Sequence, residues 1–197
     1  MSLLDMVQRQ LDPDAVSRIS QRIGADPART SQAIGAALPM LVAALARNSA
    51  DPARAQGLAR AIEEDHDGGL LDDLPAFLSS PQGRAADGNG ILGHILGNRR
   101  SAVEQQLGRG TGIGAGQMAQ LLPLLAPLVM AALGRAKRQQ GLDAGGLAQV
   151  LGGEREHIQR RAPGLMGTLS GMLDRDGDGS AVDDLGGMLG GMFNRRG

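Results

Sequence analysis

The residues best suited to chemistry lie near the end of the chain, in the stretch LDRDGDGSAVDDL, Leu173 to Leu185. Five carboxylates fall between residues 174 and 184, separated mainly by small residues. A calcium loop of the EF-hand type places oxygen ligands at positions 1, 3 and 5, a glycine at 6 and a backbone carbonyl at 7. Here those places are taken by Asp174, Asp176, Asp178, Gly179 and Ser180. Aspartates at alternate positions repel one another unless a cation neutralises them, and calcium accepts many oxygens in flexible geometry. The end of the loop departs from the pattern: Leu185 stands where a bidentate Glu or an Asp is wanted, with Asp183 and Asp184 just before it. Either Asp184 closes a loop one residue tighter, or water completes the shell. The competing reading is an acidic turn in which Asp178 or Ser180 caps the segment that follows. The predicted site is a calcium ion held by Asp174, Asp176, Asp178, Ser180 and Asp184.

Two further constellations have metal-ligand spacing. Glu63-x-x-His66 and Glu154-x-x-His157 match the Glu-x-x-His pattern of carboxylate-bridged di-iron bundles. Such a site also needs a Glu from each of two other helices, and Glu104 is the one glutamate outside these two segments. The expectation is that both histidines are structural, capping helix-end carbonyls, and that the protein is not an enzyme. A metal-dependent enzyme using Glu63/His66 and Glu154/His157 is the alternative. His94, alone in the apolar ILGHILG, is expected to be partly buried and satisfied. No G-x-S-x-G elbow is present. The glycines of GRGTGIGAG (108–116) follow no strand and precede no Lys-Ser/Thr, so they read as a loop and not a phosphate cradle.

Composition narrows the function classes. The 197 residues are 42% hydrophobic but only 1% aromatic, Phe77 and Phe193. The core must therefore be aliphatic, and no aromatic platform exists for stacking bases. A net charge of −1 gives no bulk attraction to nucleic acid or an anionic membrane. The absence of cysteine removes disulfides and thiolate chemistry. The start, MSLLDMVQRQLDPD, has neither a basic beginning nor a long apolar stretch, so no secretory signal is read and the cytoplasm is expected. Residues 118–134, MAQLLPLLAPLVMAALG, are the most apolar. They fall short of the roughly 20 residues needed to cross a bilayer and are expected to form a buried central helix.

Helices must position all of these residues. Asp12-Pro13, Asp26-Pro27 and Asp51-Pro52 each pair a capping aspartate with a proline at the first helical position. Apolar residues follow at helical spacing, and no stretch alternates with period two. The fold class is all-α. IGAALPMLVAALAR (34–47) aligns with LPLLAPLVMAALGR (122–135) at an offset of 88, Pro39 against Pro127. ISQRIG (19–24) resembles VEQQLG (103–108), and LARAI (58–62) resembles LAQVL (147–151). The preserved order predicts an internal duplication: a core, 1–161, with halves at about 12–78 and 91–161 joined by a turn-rich linker, 79–90. The two uncharged helices would pack together in a multihelical orthogonal bundle. Residues 164–197 form a separate Gly/Met-rich tail, predicted as a helix-loop-helix around the loop 174–185. Its apolar residues could dock on the core, a second copy or a partner helix.

EEDHDGGLLDDL (63–74), DGNGILGHILG (87–97), LLPLLAPLVMAALG (121–134) and LDRDGDGSAVDDLGGML (173–189) together resemble the bacterial YidB-like family, domain of unknown function 937. The resemblance covers nearly the whole chain. It implies a multihelical fold with buried central helices in a cytosolic bacterial protein, and no activity comes with it. The functional expectation is a non-enzymatic calcium-binding interaction or scaffolding module. It would engage a protein partner or self-associate through the Met-rich tail, without nucleic acid; peripheral membrane association is a further alternative.

Overall fold

The computed structural model describes residues 2–65, 68–79 and 83–161, the side chains of 83–86 and 161 apart. The predicted calcium ligands Asp174, Asp176, Asp178, Ser180 and Asp184 lie outside the described residues, as does His66. The described chain is helical: α1 (Leu3–Gln10), α2 (Pro13–Ile23), α3 (Pro27–Asn48), α4 (Pro52–Asp65), α5 (Leu74–Ser79), α6 (Gly83–Leu96), α7 (Arg100–Thr111), α8 (Ala115–Gln140) and α9 (Ala144–Arg161). Short 3-10 turns, Gly69–Leu71 and Gly97–Arg99, precede α5 and α7. No strand occurs among the described residues.

The three Asp-Pro starts act as their chemistry dictates. Asp12 accepts the N–H of Ala15 at 2.7 Å, Asp26 those of Ala28 and Arg29 at 2.9 and 3.1 Å, and Asp51 that of Arg54 at 3.0 Å. Each bond satisfies a donor that the helix itself leaves unpaired. Pro13, Pro27 and Pro52 then open their helices, where a missing N–H costs nothing.

The core is built around α3 and α8. Every residue from Leu121 to Gly134 is buried, as is every residue from Met40 to Ala46. Leu41, Leu45, Val129 and Leu133, expected inside, are all at or below 3% exposure. Around this pair, α6, α7 and α1 pack on α8, while α9 packs on α3 and α4. By length and composition α8 could cross a membrane, and 78% of its most apolar window is buried within the protein.

The largest difference from expectation concerns the 79–90 linker. Residues 83–90 are the first turns of α6, not a connection. Their glycines read as turn formers, but Gly88 serves close packing. It is buried, and a Cβ added there would lie 2.0 Å from the carbonyl oxygen of Pro123 in α8. Likewise, most of the predicted 108–116 loop is helical, and only Gly112 to Gly114 separate α7 from α8.

The acidic stretch 63–74 clamps the other end of α8. Gly68 has φ +96°, and a Cβ there would meet Ala131 O and Arg135 N at 3.0 Å. A side chain would therefore be both strained and blocked. Arg135 donates to the Gly68 carbonyl at 3.4 Å and pairs with Asp72. Lys137 pairs with Glu63 at 2.8 Å. Leu71 and Leu74 bury themselves beneath these contacts.

Candidate functional site

The carboxylates of the Glu-x-x-His pairs have structural partners. Glu63 holds Lys137. Glu154, only 9% exposed, accepts the backbone N–H of Leu3 at 2.8 Å and the hydroxyl of Ser2 at 2.7 Å. It thereby satisfies a free donor at the start of α1 across most of the chain's length. Glu104 pairs with Arg100 one turn away at 2.7 Å, so it faces along its own helix. His157 is half-buried in α9, four residues before the last described one. Among the described residues, no three His, Cys, Asp or Glu side chains gather closely enough to hold a metal ion.

His94 corrects the expectation set for it: it is exposed. The reason is its position near the C-terminal end of α6, where the buried stripe passes through Leu92, Ile95 and Leu96 and leaves residue 94 on the outer face. There it borders a groove of about 1060 Å³ between the C-terminal end of α3, the first half of α4 and the junction of α6 with α7.

The floor of this groove is apolar, with Ala44, Leu45 and Met130 of the two central helices beneath Leu58, Ile91 and Ile95. Space exists because small residues face one another across it: Gly57 and Ala61 on α4, Ala102 on α7. Nothing lies within 4 Å of a Cβ built on Gly57. Asn48 closes one end, donating from Nδ2 to the carbonyls of His94 and Ile95 at 3.0 and 3.2 Å. That bond ties the last turn of α3 to the last turn of α6.

Charge is one-sided here. Arg47, Arg54 and Arg99 line the groove together with His94, and none of its eighteen lining residues is acidic. Asp51, the nearest carboxylate in sequence to Arg54, is occupied capping α4. An apolar trough with guanidinium groups at its edge suits an amphipathic occupant whose polar ends are anionic. The sequence alone conceals this site, because it depends on which helices face one another. The one local signal is the small pair Gly57 and Ala61, four residues apart on an otherwise amphipathic helix.

No curated protein and no solved structure matches the chain. A family of bacterial proteins of unknown function, DUF937, matches residues 5–136. The match takes in α3, all but the last four residues of α8, the acidic clamp at 63–74, the Gly88 approach and every residue lining the groove. The chain therefore belongs to the DUF937 family of bacterial proteins.

Proposed function

We propose that this protein is a non-enzymatic, cytoplasmic interaction module whose groove receives an apolar helical segment of a protein, flanked by acidic residues. The observation that carries this reading is the groove's make-up: an apolar floor, three arginines at its edge and no carboxylate. A groove lined in this way recognises a helix through apolar anchors on one face. Net charge near neutrality and the burial of α8 favour a protein partner over nucleic acid or a membrane.

To this module we assign a calcium site in the tail, with Asp174, Asp176, Asp178, Ser180 and Asp184 as ligands. The alternating aspartates support it. The internal duplication is likewise retained as a proposal, in the form of an orthogonal bundle. It is supported by the starts of α3 and α8 at residues 27 and 115, 88 apart, the offset at which their sequences align.

The groove reading is tested with an apolar anion. Anilinonaphthalene sulfonate, titrated into the full chain, is expected to bind at one saturable site. Leu58→Asp is expected to weaken that binding at least tenfold while far-ultraviolet circular dichroism stays unchanged. Equal binding by both proteins would remove the groove from consideration.

A further inference from the structure

The groove calls for an occupant with an apolar face and an acidic end, and the chain itself carries a segment of that kind, preceded by Asp183 and Asp184 and followed by Arg195 and Arg196. Leu185, Met188, Leu189, Met192 and Phe193 recur at the spacing i, i+3, i+4, i+7 and i+8, which defines one face of a helix. Between them stand Gly186, Gly187, Gly190 and Gly191. Glycine is a poor helix former, and so short a segment does not hold a helix alone in water. A stripe of this composition needs a surface to bury its face against if it is to be helical. Asp183 and Asp184 immediately precede it, where carboxylates complement the positive end of a helix.

Size and charge both match the groove. A nine-residue helix rises about 13 Å and is about 10 Å across, so it fills roughly 1,000 Å³. The open groove has a volume of about 1060 Å³, of the same order. Methionine side chains adapt to irregular apolar floors, such as the one Met130 and Leu45 provide. The two aspartates before the stripe are opposite in charge to the three arginines that line the groove. Reach is ample: residues 162–184 could extend about 75 Å, whereas a domain the size of 1–161 is only about 40 Å across.

We propose that Leu185–Phe193 docks as a helix in the groove of its own chain, with Asp183 and Asp184 set against Arg47, Arg54 and Arg99. The tail then acts as a built-in competitor. Tethering raises its local concentration to the millimolar range, so a partner must outbid it to enter. The inference rests on the reading of the groove as a protein-binding site, and it specifies how that site is regulated.

The absence of cysteine from the chain permits a direct test on the full-length protein. Ala102→Cys in the groove is combined with Met188→Cys, and the pair is oxidised at low protein concentration in the presence of EDTA. An intrachain disulfide is expected to form at least tenfold faster than in a control pairing Met188→Cys with Gln8→Cys, which is exposed on α1. Adding Asp183→Arg and Asp184→Arg to the groove pair is expected to slow closure about tenfold. Leu58→Cys in place of Ala102→Cys provides a second groove position if the first variant folds poorly. Equal rates at groove and control positions would overturn the proposal, as would disulfides formed only between two chains. Loss of dye binding in Leu58→Asp without preferential cross-linking would leave the groove as a site and remove the tail as its occupant. Dye binding indifferent to Leu58→Asp would remove both.

Discussion

Pro123 presents its carbonyl oxygen to Gly88, so closely that a Cβ on Gly88 would lie 2.0 Å from it. The donor that would normally engage this oxygen within α8 belongs to residue 127, which is also a proline and has no N–H. The carbonyl that Pro127 leaves without a helical donor is thus the one α6 approaches at a glycine. Close Cα–H···O contacts recur at helix–helix interfaces of this kind. The glycine and the two prolines form one packing device spread over two helices.

Gly88→Ala should therefore destabilise the protein by about 1–3 kcal/mol or more, since backbone must move to admit the methyl group. Gly90→Ala, two residues along the same helix with nothing within 4 Å of its Cβ, should stabilise it by about 0.5–1 kcal/mol. Chemical denaturation of both variants beside the parent gives the comparison. A loss of stability in both would show that α6 does not pack as described.

Leu41 of α3 sits at 0% exposure in the core. Truncation to alanine is expected to cost about 2–5 kcal/mol, through lost burial and the cavity left behind. Urea unfolding should show a lower midpoint with an unchanged slope.

Glu154→Ala strands the Leu3 N–H and the Ser2 hydroxyl and should cost about 1–3 kcal/mol. If Glu154 and His157 are structural, neither Glu154→Ala nor His157→Ala should alter the amount of transition metal that purifies with the protein. Elemental analysis reads this directly, and a stoichiometric metal lost on substitution would restore the enzyme alternative.

Calorimetric titration of calcium should give about one site in the parent chain and none in Asp176→Ala. At calcium 100 times its dissociation constant, binding should add about 2.7 kcal/mol to the state that holds the ion. Identical titrations of the two proteins would refute the site.

What could be read from the sequence was whatever acts locally or through long uniform runs. The capping of Asp12, Asp26 and Asp51 operates within three residues, so the pattern names the bond. α3 and α8 declare themselves by lacking charge over many turns. The start of α6 was illegible because Gly88 and Gly90 are identical in sequence terms, though one permits close contact and the other meets open space. The groove could not be read because Gly57, Ala61 and Ala102 become a site only when two distant helices face each other. Nor could the partner of Glu154, which sits 151 positions away. The calcium loop is legible as a pattern and lies outside the described residues.

The bond between Glu154 and Leu3 also sets an order of events during synthesis. α1 leaves the ribosome well before the carboxylate that secures its leading end, which is made 151 residues later. At about 5–20 residues per second, that interval is roughly 8–30 s. Throughout it, Leu3, Leu4 and Val7, all buried in the finished protein, lack the anchor that fixes their helix. α1 is thus secured long after it is made, and a nascent chain halted before residue 154 would expose the apolar face of α1 to chaperones and proteases.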